Sequence, residues 1–238
     1  MLSIIEDVAR SGARFTAALA GLTDEDVRAP SALPGWSRGH VVTHVARSVD
    51  AYLWLLAVAR TGLEPGPRAD AAALARAVQE GSGRPAAELA ADLRGRLEQL
   101  ASAVAEMPAG RWDTPVTALA GWRHPAWYTL HRCRRELETH HIDLNTGYGT
   151  ADWSGDYVAW ALDDTLAALA AGDFPLARVE AVDLGRSWQL SGSGPTVTGP
   201  GHAVLGWLSG RTPGTRLGAD QPLPDPPAWP QPPAPGWT

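Results

Sequence analysis

Apolar residues recur at three- and four-residue steps in three long stretches of the amino-terminal half, and a chain patterned this way folds by burying one stripe of each helix against the others. Ile5, Val8, Phe15 and Leu19 form the first stripe. Val42, Val45, Val49, Tyr52 and Leu56 form the second, and Leu89, Leu93, Leu97, Leu100 and Val104 the third. Local punctuation sets their limits. Ser3 with Glu6 reads as a capping box that starts the first helix, which should run to about Leu22. Thr23-Asp24-Glu25-Asp26 suits a short turn, Pro30, Pro34 and Gly35 break regularity, and Ser37 offers the next N-cap. A short helix is expected from Asp70 to Glu80, ended by Gly81-Ser82-Gly83, and Pro85 opens the third long helix. Trp112 to His124 reads as a long connection of the kind that closes a site over a bundle mouth, and Pro125 is expected to begin the fourth long helix.

Beyond a further helix between Ser154 and Ala171 the texture changes. Val179 to Leu184, Trp188 to Leu190 and Thr196 to Thr198 alternate at period two, which predicts short strands, and Gly201 to Leu208 reads as a short helix. Proline then dominates from Gln221 onward and excludes both helix and central strand. The expected organisation is a helical bundle over residues 1–172, a small α/β domain over 173–220 and an extended tail over 221–238, an α+β chain.

Composition narrows the functional classes. With 238 residues, 45% of them hydrophobic, the chain is long enough to bury a substantial core. A formal net charge of -6 and the lack of a basic run argue against nucleic acid, because phosphate binding needs clustered Lys and Arg. The single cysteine, Cys133, cannot build an internal disulfide framework, and the amino terminus lacks a basic region followed by an apolar signal core. No uninterrupted apolar run approaches the roughly 20 residues that cross a bilayer. A soluble, cytoplasmic protein is expected.

The chemistry concentrates in the segment from Arg134 to Leu144. Glu136 and His140 stand about one helical turn apart and so share a face, supplying two-thirds of a His/His/carboxylate site for zinc or a similar divalent ion. His44, at the edge of the second apolar stripe, is the best candidate for the third donor. Other arrangements fit the same residues. Glu136 pairs equally well with Arg132 or Arg135, His140 suits a hydrogen-bonded core histidine, and His40 with His44 forms a rival HxxxH pair. Cys133 faces the same way as Glu136 and His140, either toward the ion or as a small buried hydrophobe. Asp143 is placed to accept from the free ring nitrogen of His140 or to make a helix-end salt bridge. His141 and Glu138 lie off that face.

Three passages taken together carry a resemblance: Pro34-Gly35-Trp36-Ser37 through His44, Arg135-Glu136 through His140 to Asp143-Leu144, and Thr198-Gly199-Pro200 through Trp207-Leu208-Ser209-Gly210-Arg211. Over nearly the whole chain they resemble the mycothiol-dependent maleylpyruvate isomerase family. That resemblance implies a DinB-like four-helix metal domain, a smaller carboxy-terminal α/β domain and a proline-containing tail. It implies zinc held by the residues matching His44, Glu136 and His140, with water or a thiol at the open position, and mycothiol as that thiol. It also implies that Arg211 assists with a carboxylate-bearing substrate, although an arginine after a short helix is equally a C-cap. His141 departs from the small or apolar residue usual in the family. Two other functions fit these features: a mycothiol S-transferase that conjugates the thiol to another electrophile, and a non-catalytic ligand-binding DinB-like protein.

Overall fold

Helix α1 (Leu2–Leu19) opens the chain in the computed structural model, which describes residues 2–190 and 193–236, the Leu2 side chain excepted. The helix already includes Ser3, so that residue is not its N-cap, and it ends at Leu19 rather than Leu22 in a turn closed by Leu22 N–H on the Leu19 carbonyl at 3.1 Å. Helix α2 (Asp24–Arg28) is a single short turn in which Thr23 and Asp26 cap each other reciprocally. Ser37 caps α3 (Arg38–Thr61) as expected, and Gly62, at φ 77°, supplies the left-handed residue that ends it. Asp70 caps α4 (Ala71–Gly81), and Pro85 precedes α5 (Ala86–Ala105).

The long connection read from Trp112 to His124 contains a hairpin. Strand β1 (Pro115–Thr117) pairs antiparallel with β2 (Arg123–Pro125), placing Val116 opposite His124, and Gly121, at φ 83°, turns the chain between them. Pro125 therefore ends a strand instead of starting a helix. Helix α6 (Tyr128–Asp143) begins three residues later than the proline suggested.

Within residues 1–147, α1 and α3 each pack against α5 and α6, which makes a four-helix bundle. Phe15, Val45, Leu55, Leu89, Leu93 and Leu137 are buried in one cluster, each contributing roughly 1.5–3 kcal/mol of transfer free energy. Polar pairs fix how α1 meets α6. Arg134 contacts Asp7 at 2.8 Å, and the buried Glu138 carboxylate receives Ser11 and Arg14. At the start of α3 a Cβ on Gly39 would stand 2.2 Å from the Ser82 carbonyl oxygen, so only glycine lets α3 approach the turn after α4 this closely. By length and composition α3 could cross a membrane, but half of its apolar window is buried inside the protein, where the bundle uses it.

The described residues between 148 and 236 form the second compact unit. Helix α7 (Gly155–Ala171), preceded by Ser154 as expected, belongs here rather than with the bundle, because it packs on α8 (Gly201–Leu208). The contact boundary thus falls at 147/148 where the change of texture had suggested 172/173. Strands β3 (Arg178–Ala181), β4 (Arg186–Gln189), β5 (Thr196–Gly199) and β6 (Gly218–Ala219) make one sheet in the order β4-β3-β5-β6. β3 pairs antiparallel with β4 and parallel with β5, and β6 adds an antiparallel edge that sequence alternation had not suggested. The proline-rich segment has no helix or strand among its described residues; Ala234 N–H donates to Asp164 of α7 at 3.3 Å. Positions 237–238 of the tail lie outside the described residues.

Candidate metal centre

Helices α3 and α6 bring three side chains that could ligate an ion together from distant parts of the bundle sequence. His44 Nε2 lies 2.7 Å from Glu136 Oε1, and His140 Nε2 lies 3.2 Å from the same oxygen. One ligand atom from each residue falls within 4.8 Å of the others. The helical spacing of Glu136 and His140 accounts for their shared face; the packing of α3 on α6 supplies His44. The two imidazole rings meet edge to face, with centroids 4.7 Å apart.

His140 and Glu136 are each oriented by neighbours outside the cluster. His140 Nδ1 donates to Asp143 Oδ2 at 2.8 Å, which turns Nε2 toward Glu136 and His44. Ser48 Oγ donates to Glu136 Oε1 at 3.1 Å, and the Tyr52 hydroxyl reaches Oε2 at 3.5 Å. Both stand at four-residue steps after His44; the sequence pattern presented Tyr52 only as part of the apolar stripe, and Ser48 carried no signal of its own. Burial works against the Glu136 carboxylate, but hydrogen bonds and charge from His140 and His44 outweigh it and hold its pKa well below the usual carboxylate range. Burial likewise opposes charge on His140. Hydrogen bonds to Asp143 and Glu136 overcome that opposition and raise its pKa to about 9.

The remaining candidates separate. His40 does not join His44: its Nδ1 accepts from Ser37 in the cap of α3, and its Nε2 faces Gln79 of α4 at 3.3 Å. Cys133 is buried, and its thiol pKa is pushed far up by burial and by the Glu136 charge, so it is a protonated core side chain. His141 packs against Phe15 with centroids 5.4 Å apart. Arg132 points away from ion-pair distance of Glu136, toward His124 and Tyr52. Arg211 follows α8 in the second unit, where its Nη1 donates to the Ser209 carbonyl at 2.6 Å, the helix-end contact that sequence left as the alternative.

A cavity of about 570 Å³ opens beside the cluster, with His44 and Glu136 on its wall. Trp36, Tyr52, Val78, Leu119 and Arg132 contribute to its wall together with His44 and Glu136. Leu119 comes from the turn of the β1–β2 hairpin, so the long connection does reach the site. Two imidazoles and one carboxylate are the donor set of zinc sites that keep an open coordination position, and three converging donors fit a divalent ion in that role.

A helical bundle with a two-histidine, one-carboxylate cluster at a cavity, followed in the chain by a small α/β unit, defines an α+β protein with a candidate metal-dependent site. Residues 8–145 match the family described as "Mycothiol maleylpyruvate isomerase N-terminal domain". That is more than half of the sequence, and the chain belongs to this family. Among solved structures, a crystal structure of the mycothiol-dependent maleylpyruvate isomerase superposes with a TM-score of 0.86 at 21% identity, covering 95% of this chain and 96% of that one. A mutant of that enzyme superposes with a TM-score of 0.85 at 20% identity, over the same shares of the two chains. At such identities the likeness establishes a shared fold. No curated protein gives a significant match.

Proposed function

We propose that this chain is a metal-dependent, mycothiol-dependent maleylpyruvate isomerase, converting a cis to a trans double bond by reversible addition of a thiolate. The observation that supports this reading most directly is the convergence of His44, Glu136 and His140 within 4.8 Å, two of them on a cavity wall, in a member of this family. These three residues would hold a divalent ion, zinc by the choice of donors. When bound, such an ion supplies the Lewis acidity that keeps a thiol deprotonated near neutral pH. Mycothiol would supply the sulfur for that reversible addition.

The chain's own residues prepare that chemistry without providing a nucleophile. Asp143 accepts the Nδ1 proton of His140 and leaves Nε2 as the atom facing Glu136 and His44. Ser48 and Tyr52 hold the Glu136 carboxylate in its rotamer. Cys133, buried and protonated, is unsuited to attack, which agrees with a thiol arriving from outside. Trp36, Val78 and Leu119 line the cavity with apolar surface that limits access of water to a reactive thiolate. Arg211 enters this reading through the resemblance, as a planar donor for a substrate carboxylate. The proposal includes a cytoplasmic setting and small-molecule partners, with no nucleic acid or membrane partner.

Metal analysis of the wild type and of His44→Ala and Glu136→Ala tests the site, combined with maleylpyruvate turnover in the presence and absence of mycothiol. The expected result is about one metal equivalent in the wild type, lost in both variants, and turnover only with the thiol. Conjugation of mycothiol to an epoxide or alkyl halide without maleylpyruvate turnover would replace isomerase by S-transferase. A metal-free wild type whose melting ignores chelator would leave the non-catalytic binding protein.

A further inference from the structure

Arg132 stands one helical turn before Glu136 on α6 and lines the same cavity. Its guanidinium is positioned by neutral groups. Nη1 lies 3.2 Å from His124 Nε2, while Cζ lies 5.5 Å from the Tyr52 ring centroid and 5.7 Å from that of Trp122. His124 Nδ1 donates to the Pro125 carbonyl at 3.0 Å, so the ring nitrogen facing Arg132 carries the lone pair and accepts from it. Burial keeps that imidazole neutral, lowering its pKa to about 4. A histidine so held orients the arginine without cancelling its charge.

The neighbouring arginine on the cavity wall is committed elsewhere. Arg47 donates to both oxygens of Asp92, at 2.9 and 2.8 Å, and contacts Asp50 at 3.1 Å. Arg68, close enough for the Arg132 charge to lower its pKa further after burial has begun to do so, donates to the Thr117 carbonyl at 2.8 Å and stacks on Trp54. No carboxylate among the described residues lies within ion-pair distance of Arg132. A half-buried guanidinium flanked by two aromatic faces and lacking a counter-ion is a receptor for an anion, because the cost of its partial desolvation has no compensation until one binds.

We propose that Arg132 is the anchor of a carboxylate-binding subsite, its guanidinium held by His124, Tyr52 and Trp122 so as to receive a carboxylate of a small unsaturated acid beside the His44–Glu136–His140 cluster. The identity of that acid as the substrate rests on the proposed isomerase function; the anion site does not. Arg132 then orients the alkene relative to the ligand cluster, and its planar fork selects carboxylates over neutral esters.

The test is calorimetric titration of the full chain, chelator-treated and metal-loaded, with maleate and with its uncharged dimethyl ester. In the chelator-treated protein the wild type should bind maleate and discriminate against the ester. Arg132→Gln should weaken maleate binding roughly 10- to 100-fold, the scale of a charge-assisted hydrogen-bond pair, and abolish the discrimination. Arg132→Lys keeps a cation and a long stem in case the glutamine variant fails to fold, and should bind several-fold more weakly for want of the fork. Wild-type affinity in Arg132→Lys and Arg132→Gln, equal binding of acid and ester, or no maleate binding by the wild type overturns the subsite. Arg132-dependent maleate binding in a protein that takes up no metal and turns over no maleylpyruvate supports the subsite while removing the isomerase reading.

Discussion

His140 Nδ1 lies 2.8 Å from Asp143 Oδ2, an imidazole-carboxylate pair three residues apart on α6. With Glu136 at the other ring nitrogen, 3.2 Å away, the free histidine has a carboxylate at each end. Burial opposes its protonation, but these two partners prevail and raise its pKa to about 9. A metal ion at the proposed site would have to displace the proton these partners favour on His140.

Metal uptake at pH 7 is expected to release about one proton from His140, since the folded pKa is raised to about 9 and the imidazolium persists below it. Apparent metal affinity should rise with pH up to about that value and then level off. Calorimetry in buffers of different ionisation enthalpy measures the released proton. In Asp143→Asn the metal affinity should fall about 10- to 100-fold; wild-type affinity in that variant would show that the 2.8 Å contact has no part in the site.

Cys133→Ala should retain metal and mycothiol-dependent turnover. The thiol is buried and held protonated by burial and by Glu136, so it acts as a small core hydrophobe. Its removal should cost about 1 kcal/mol of stability, read by denaturant unfolding. Loss of turnover in a folded, metal-bearing Cys133→Ala protein would return the nucleophile to the chain.

Arg211→Ala should lower maleylpyruvate turnover while leaving metal content unchanged. The variant also loses the 2.6 Å bond to the Ser209 carbonyl, so thermal melting must accompany the kinetics. Unchanged turnover would reduce Arg211 to its helix-end role.

Acid should destabilise the fold through His124. Its folded pKa of about 4 lies below the ordinary value of 6.5, chiefly because burial penalises the charged ring. The unfolded chain takes the proton first as pH falls below about 6.5, stability drops until about 4, and the loss levels off once the folded form is protonated too. The full difference is about 3 kcal/mol. Urea unfolding of the wild type and His124→Gln between those pH values measures it; parallel pH dependences in the two proteins would remove His124 as the cause.

Much of the helical unit was legible because the relevant forces act over a few residues. Ser37 and Asp70 marked helix starts by accepting amide protons three positions on, and the stripe through Val42, Val45 and Val49 repeated with the helical turn. The pairing of Glu136 with His140 on one face followed from the same turn. Local rules failed where a competing long-range contact won. Pro125 was taken by the strand opposite β1, and α7 joined the second unit through its packing on α8.

The residue types at the candidate site and the helical rows that display them were thus written in the order of amino acids, since periodicity and caps are short-range properties. The approach of His44 to Glu136 across 92 positions, the turning of Arg132 toward His124 instead of Glu136, and the order β4-β3-β5-β6 were not. Each depends on which faces of distant elements interlock, and that is settled by packing in three dimensions, where one residue's neighbours are chosen by shape and charge from the whole unit.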